Sequence, residues 1–568
     1  MITKEYKGER LHWYRFLKVK FQAIINNNIE IKYCTADGQI LRIDLNKDTK
    51  ETPEILNNLE QIKYLQWFGE YGQNLKKVGK WTATWKGQIL KNVGGIYSED
   101  GKKIGSWIEL KNNYMESAQV YEIGDYFDNQ RIGNWKYLFK DYEIGGGHYN
   151  EQSLKNGNWT ELSQDFHVYK QIIYNGKYRD GKKIDMWTEY LREDGFIQFE
   201  EIGGGYYDNI GKELKIGNWI ELIDFQKNKK ITFNGEYKDG YKIGRWNILN
   251  SEYSNNEIKI IGGGYYDEQK KGLKFGKWIE LDDNSTCDIK ITSLGEYKNG
   301  QKVGIWDFYR NSNIKQELLG GGLYEIEKEK GCVKNGKWIE LSDNFENFRQ
   351  IIYCGVYNYG KKIGRWDVFW RESDKNDFEK IGGGSYNQIE FGMKEGKWKE
   401  LSEIFSNSSQ IIYDGQYKSN KKIGRWNIYF RRTKEKFEQI GGGDYNSENG
   451  MKQGQWIDLF HNFREDSQVT YNGEYKNGQK IGKWDIYYKE SLGDNFEWIG
   501  AGSYDLQERG IKQGKWVELS DTFQDWGLII FQGEYHNGRK IGKWEEKKRD
   551  FCAFSKRFFK TREIFYQN

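Results

Sequence analysis

Proline is almost missing from this chain: Pro53 stands alone among 568 residues. Proline has no N–H to give a sheet ladder, so its scarcity suits long, uninterrupted strand pairing. Aliphatic side chains are scarce too. Aromatics are 17% of the chain and all hydrophobics only 37%, which leaves little Leu, Ile and Val for thick cores. The five cysteines, Cys34, Cys287, Cys332, Cys354 and Cys552, form no CxxC pair and keep no regular spacing. That argues against a disulfide framework and a zinc site, and fits a reducing compartment. No run approaches 18 apolar residues, so no membrane-spanning helix is expected. The opening MITKEYKGERLHWYRF lacks the apolar stretch of a secretory signal, so the expected location is cytoplasmic.

A strong charge of one sign is also lacking. Eighty-eight basic residues face 84 acidic ones, a net +4. This is no footprint of bulk nucleic-acid binding. The imbalance sits at the ends: residues 1–24 carry +4 and residues 545–568 carry +3, which leaves the middle at −3. Any electrostatic address lies at the termini.

What is abundant is glycine (67), tyrosine (41) and tryptophan (23), and they repeat in phase. Gly-x-Trp recurs with Trp at 81, 107, 135, 159, 219, 246, 278, 306, 338, 366, 398, 426, 456, 484, 516 and 544, and Trp187 fills a seventeenth slot behind Asp185. Each is preceded by Gly-x-Tyr. Two unit types alternate with a full period near 60 residues. The short unit reads GEYKNGQKIGKW and the long one IGGGYYDEQKKGLKFGKWIEL. The structural positions of the short unit are Gly473, Tyr475, Asn477, Gly478, Gly482 and Trp484. They recur as Gly415, Tyr417, Gly424 and Trp426, and as Gly355, Tyr357, Gly364 and Trp366. Glycine triplets fall at 145–147, 203–205, 262–264, 320–322, 382–384 and 441–443, then Gly-Ala-Gly at 500–502.

Asn477-Gly478 between aromatic-rich, alternating flanks is a strong signal for a two-residue hairpin turn, because type I′ geometry needs φ > 0 at both central residues. Each unit is therefore predicted to be one β-hairpin. A two-residue turn sets Tyr475 against Lys480, Gly473 against Gly482 and Tyr471 against Trp484, with the opposed glycines making a trough for neighbouring rings. A lone hairpin is marginal in water, so the units must stack. The expected fold is all-β, an elongated array of about 17 stacked antiparallel hairpins over residues 67–546.

GEYKNGQKIGKW (473–484) and GEYKDGYKIGRW (235–246) resemble MORN repeats, especially the variant class reading Tyr-x-Asn-Gly-Lys-x-x-Gly-x-Trp. The usual MORN unit is shorter, near 23 residues, and has no GGG-x-Tyr insert. The resemblance implies an elongated hairpin-stacked sheet. It also implies a role in scaffolding, protein–protein contact, or membrane and cytoskeletal attachment, and no enzyme. The competing fold is a seven-bladed β-propeller, since a 60-residue period with two hairpins supplies the four strands of a blade.

Outside the repeats, residues 1–66 form a cap region with a hairpin turn at Asp37-Gly38. Thr52-Pro53 is a helix-start signal for a helix over about 53–65. Residues 547–568 are a basic, aromatic tail. Lys556, Arg557, Phe558, Phe559 and Lys560 either cover the last hairpin or form a partner- or membrane-seeking helix. The five histidines read as surface or hairpin residues. The glycine triplets lack the following helix of a phosphate loop and read as bulge or ring-packing positions. The recurring acids after Trp (Glu221, Glu280, Glu340, Glu400 and Glu518; Asp307, Asp367 and Asp485) read as a solvated face. The Lys361-Lys362 and Lys421-Lys422 pairs read as a solvated edge. No catalytic, metal or cofactor site is expected. The expected function is a structural or interaction scaffold for protein, cytoskeletal or anionic membrane-surface partners. The alternative is a carbohydrate- or lipid-binding aromatic module. An elongated array predicts a radius of gyration from small-angle scattering well above the ~24 Å of a compact chain of this length; a value near that figure refutes it.

Overall fold

A computed structural model describes residues 2–12, 15–26, 30–35, 40–45, 56–72, 75–192, 198–226, 229–252, 257–269, 272–282, 290–311, 316–327, 330–343, 345–346, 349–373, 376–389, 392–432, 435–491, 493, 495–520, 522–549 and 557–566. Among them the regular elements are strands, apart from the helix Leu59–Tyr64. The chain forms two compact units, Met1–Leu281 and Asp282–Asn568.

The first unit opens with a four-stranded antiparallel sheet, Ile2–His12, Arg15–Asn26, Glu30–Thr35 and Ile40–Leu45. The predicted turn at Asp37-Gly38 lies outside the described residues, as do Thr52 and Pro53. The helix is shorter than the 53–65 expected. It starts only at Leu59, where Asn58 Oδ1 accepts from the backbone N–H of Glu60 (3.0 Å) and Gln61 (3.2 Å), the groups that an N-cap must satisfy. Its Ile62 packs with Phe21, Ala23, Ile31 and Tyr33. From Leu65–Tyr71 to Lys274–Leu281, each strand then pairs antiparallel with the next.

The second unit repeats the pattern from Lys290–Lys298 to Phe559–Tyr566. Both units are arrays of stacked antiparallel hairpins. The propeller alternative fails on this pairing. A propeller interrupts its ladder after every fourth strand, whereas here the ladder runs on between hairpins, as between Lys394–Leu401 and Gln410–Lys418. Among the described residues, no register returns the last strand of either unit to its first.

Among the described residues the basic tail forms no helix and lies against the last hairpin, the first of its two expected arrangements. Phe559–Tyr566 is the last strand of the second unit, with Tyr566 opposite Gly542 and Ile564 opposite Trp544. The last hairpin leaves one edge unpaired and one face of Trp544 open, and this strand supplies both. Phe558 packs against the cluster that holds Val469, Ile486, Leu528 and Ile530. Arg557, Phe559 and Lys560 are exposed. Lys556 lies outside the described residues.

The turn prediction matches the geometry at Asn477-Gly478, with φ of 50° and 78°, and Tyr475 faces Lys480. The trough of opposed glycines does not form. The register slips between Asn472 and Glu474, so Asn472 faces Asp485 and Tyr471 faces Ile486 rather than Trp484. Gly482 takes a left-handed φ of 60°. Gly482, Lys483 and Trp484 pair instead with Tyr504, Ser503 and Gly502 of the following strand. The kink folds the Trp484 ring down on Gly473, where an added Cβ would meet ring carbon Cδ2 at 2.3 Å. Gly355 and Gly415 are covered by Trp366 and Trp426 in the same way, both at 2.2 Å, and Gly364 and Gly424 repeat the kink at 60° and 59°.

A second core lies at the end of the strands away from the turns. Loops that follow Trp-x-Glu-Leu, or Trp-x-Asp-Leu at 456–459, drop an aromatic inward: Phe166, Phe345, Phe405, Phe463 and Phe523 are all buried. Phe405 packs with Ile351, Val368, Trp370, Ile381 and Ile412. Successive loops also bond each other. Ser409 Oγ donates to the Phe463 carbonyl (2.7 Å), Ser467 Oγ to that of Phe523 (2.6 Å), and the Glu465 N–H to that of Ser408 (2.9 Å). Arg371 binds Gln350 Oε1 (2.5 Å) and grips Glu317 with both Nη atoms (2.6 and 2.8 Å), tying strands a full period apart.

The glycine triplet does three jobs. In 441–443, a Cβ on Gly441 would meet the Ile457 carbonyl, on Gly442 the Trp426 carbonyl, and on Gly443 the Trp456 ring. Gly442 also has φ 128°. Where Ala501 replaces that middle glycine, pairing to the next strand shrinks to Ser503↔Gln513 and Tyr504↔Lys512. The equivalent ladder keeps Gly442↔Ile457 as well. Ala501→Gly is therefore expected to raise the unfolding midpoint, and Gly442→Ala to lower stability by about 2–4 kcal/mol. Denaturant titration followed by tryptophan fluorescence checks both; Gly442→Ala without effect refutes the account.

Candidate functional site

The recurring chemistry of the chain converges on one repeated node. In the second unit it consists of Lys394, Trp398, Glu400, Tyr417, Lys422 and Trp426. Trp398 and Tyr417 meet edge-on at 6.0 Å and 77°, and Tyr417 and Trp426 at 5.3 Å and 87°, the geometry that aromatic quadrupoles favour. The column continues through Tyr445, Trp456, Tyr475, Trp484, Tyr504, Trp516, Tyr535 and Trp544 to Tyr566. The first unit holds the same column from Tyr71 to Trp278.

Each tryptophan is roofed by a cation. Lys394 Nζ lies 4.5 Å from the Trp398 ring and Lys422 Nζ 4.0 Å from that of Trp426. Lys362 and Lys480 stand over Trp366 and Trp484 at 3.9 and 4.3 Å. These ammonium groups end on one carboxylate. Glu400 receives Lys394, Lys422 (3.0 Å) and the hydroxyl of Tyr417 (2.9 Å). Glu340 receives Lys334, Lys362 (2.9 Å) and Tyr357 (2.8 Å). Asp458 receives Lys452 (2.7 Å), Lys480 (3.9 Å) and Tyr475 (2.6 Å). Glu518 receives Lys512, Lys540 (2.7 Å) and Tyr535 (2.7 Å). In the first unit Glu221 is held by Lys215 (2.6 Å), Lys242 (2.7 Å) and Tyr237 (2.8 Å).

These contacts correct two expectations. Glu221, Glu280, Glu340, Glu400 and Glu518 do not form a solvated face: they are partly buried clamps, Glu280 being held by Lys274. In the Lys-Lys pairs only Lys361 and Lys421 stay at the exposed edge, while Lys362 and Lys422 turn inward over the rings. The reason is the strand alternation between neighbours. Asp367 and Asp485 do sit on the outer surface, bridged to Arg365 (2.6 Å) and Lys380 (2.8 Å), and to Lys483 (2.8 Å). A basic residue stands four places before every repeat tryptophan, Arg131 once and Lys otherwise. That spacing was the available signal for the clamp.

Protonation follows the geometry. Burial by itself would raise the Glu400 carboxyl, but Lys422 and Lys394 together hold it below its usual 4.5. Glu340, Asp458 and Glu518 are lowered in the same way. Burial, then the adjacent Glu400, pushes the Tyr417 hydroxyl up, and burial lowers the Lys422 ammonium against the pull of Glu400. A bound, charged carboxylate ringed by donors is poised to hold its neighbours and not to exchange protons near neutrality.

Away from the column, His148, His461 and His536 are exposed. His167 departs from the surface reading. It is 1% exposed within a far-end loop, where burial brings it down to about 4. Among the described residues no group of three or more His, Cys, Asp and Glu could hold a metal ion. No described helix is long and apolar enough to cross a membrane.

No family model matches the chain, and no curated protein does. Among solved structures it is similar to the NanB sialidase of Streptococcus pneumoniae (10% identity, 92% of this chain and 87% of that one, TM-score 0.19). It is also similar to the α-L-arabinofuranosidase Arb93A of Fusarium graminearum (10%, 56% and 88%, 0.18) and the GH74 enzyme of Niastella koreensis (9%, 96% and 92%, 0.17). Superpositions this poor carry no argument about chemistry.

The clamp sets the pH limits. Carboxylates lowered in the fold contribute stability that is complete above their usual 4.5 and is lost as pH falls through their folded values. Phenols raised in the fold contribute below their usual 10 and lose that contribution as pH rises. Lys242 and Lys422, lowered by burial, pull weakly the other way at high pH. Acid unfolding is thus expected to begin below about pH 4.5, read by tryptophan fluorescence. Glu400→Gln is expected to cost about 2–5 kcal/mol by leaving Lys394 and Lys422 uncompensated. A variant as stable as the parent refutes the clamp.

Proposed function

We propose that the chain is a non-enzymatic interaction scaffold of the MORN-like kind. It works inside the cell and docks other proteins, with cytoskeletal proteins and anionic membrane surfaces as the natural classes. The observation that carries this function is that the repeated chemistry is consumed internally. The rings of the repeated column are covered: Trp366, Trp426 and Trp484 are each at most 2% exposed. The acids that could move protons are each tied to cations and a phenol. What reaches solvent is the varied residue on either side of each tryptophan, such as Arg365 and Asp367 or Lys483 and Asp485. A constant interior with a variable exterior suits a platform whose partners are chosen by its outer residues.

The carbohydrate-binding alternative is weakened by the same burial. Purified chain is expected to retain protein partners that cross-link to its outer lysines, and neither to hydrolyse aryl glycosides nor to bind a glycan array. Glycoside turnover, or glycan binding as its dominant interaction, overturns the scaffold.

A further inference from the structure

The first far-end loop opens on a lysine where its siblings open on a serine. Lys111 follows Trp107-Ile108-Glu109-Leu110, as Ser163, Ser342, Ser402 and Ser520 follow their own Trp-x-Glu-Leu. The backbone turns the same way in both cases. The Lys111 N–H donates to the Val120 carbonyl (3.1 Å), and the Lys111 carbonyl accepts from the Tyr114 N–H (2.8 Å). Ser402 bonds Ile411 and Phe405 in the same pattern, both at 3.0 Å. The turn therefore does not require a lysine.

Its side chain runs into the seam between this loop and the next. Nζ donates to the Leu162 carbonyl (3.4 Å) and lies 5.2 Å from the ring of buried Tyr137. Asn113 Nδ2 donates to the Phe166 carbonyl (2.8 Å) and the Val168 N–H to that of Ser117 (2.8 Å), so the two loops are bonded around it. Lys111 as a whole is half-buried, which leaves a way in from solvent.

Lys394, Lys422 and the other clamp lysines end on a carboxylate. Among the described residues Lys111 pairs with none. The two acids near enough to act on it, Glu122 and Glu161, have partners of their own. Arg131 holds Glu122 (2.7 Å), while Lys155, Lys183 (3.3 Å) and the Tyr178 hydroxyl (2.9 Å) hold Glu161. Burial outweighs the pull of both acids and brings the Lys111 ammonium down to about 8. At about pH 7.4 roughly a fifth of such an amine is neutral, against about one part in a thousand for an ordinary lysine. A desolvated lysine amine is the usual form of a lysine nucleophile.

The surroundings select the electrophile. Acylation would turn the amine into a neutral amide and remove the positive charge that Glu122 and Glu161 act on. An aldehyde leaves that charge in place, because the protonated imine is a cation. The same two acids repel an aldehyde that carries a phosphate or carboxylate. In the addition the amine lone pair bonds to the carbonyl carbon and the carbonyl electron pair moves to oxygen. The resulting carbinolamine loses that oxygen as water, taking both amine protons, and leaves a C=N bond with no other reactant consumed.

We propose that Lys111 Nζ is a covalent binding site for small neutral aldehydes, held as a reversible imine in the seam between the two loops. The site is independent of the scaffold function above. The test treats the full chain with propanal and cyanoborohydride, which reduces the imine to a stable secondary amine, and reads each lysine by peptide mass spectrometry at short times. Lys177, exposed on the outer face, is the reference. Lys111 is expected to label at least tenfold faster than Lys177 at neutral pH, and its rate to level off above about pH 8 while that of Lys177 still climbs. Concentrated urea is expected to abolish the difference, and anionic glyoxylate to favour Lys111 less than propanal does. Labelling no faster than at Lys177 overturns the proposal, as does an advantage that survives unfolding. Glyoxylate favouring Lys111 as strongly as propanal overturns the choice of a neutral ligand. None of these outcomes bears on the scaffold.

Discussion

A tryptophan ring laid flat on a glycine of the neighbouring strand, with an ammonium group on its other side, is the contact from which the rest of this structure follows. The ring can reach that position only because Gly482 and its equivalents kink the strand, and only because Gly473 and its equivalents carry no Cβ. Lys480 covers the exposed ring face and carries its charge to Asp458, which the preceding hairpin supplies. Tyr475 binds the same carboxylate and abuts the same tryptophan. One hairpin therefore cannot complete its own site. A short hairpin takes its acid from the long unit before it, and a long hairpin takes its second lysine and its phenol from the short unit after it, which makes the array cooperative by construction. Losing one such ring costs on the order of 3–5 kcal/mol.

The alternation of two hairpin types has a physical basis in the second core. Long units bring the carboxylate and then a loop with a buried phenylalanine, and these loops bond to one another a full period apart, as Ser409 does to Phe463 and Ser467 to Phe523. Short units supply the tight turn, the second lysine of each clamp and the arginine that grips the previous period, as Arg371 grips Glu317. The ring column repeats with every hairpin, whereas the loop stack repeats with every second one. A single repeated unit could satisfy the first spacing but not the second.

Function is left to whatever the two columns do not consume. Inward positions are nearly invariant in type, because each touches a ring, a carbonyl or a charge with no slack. Outward positions vary between repeats without disturbing the register: Lys380, Gln439 and Ile260 occupy one place in three ladders. Such tolerance lets an array of identical scaffolding present different surfaces along its length.

The repeat, the hairpins and the Asn-Gly turns were legible in the sequence, because turn chemistry and period-two alternation are local. The pairing of glycine with an aromatic two residues on was legible as well, though its geometry was not: the bulge at Gly482 shifts Tyr471 from Trp484 to Ile486, and a bulge depends on where a ring must land. The acids and lysines were misjudged because alternation along one strand does not reveal which charge finds a partner on the next. Glu400 and Lys422 lie 22 residues apart and meet only across the ladder. The terminal tail likewise left two readings open, a cover over the last hairpin or a separate helix, until its Tyr566 and Ile564 were set against Gly542 and Trp544. Sequence alone determined the brick, since everything in it is local. The tertiary structure decided what each charge and each ring is for, since every one of those contacts is made with a neighbouring strand.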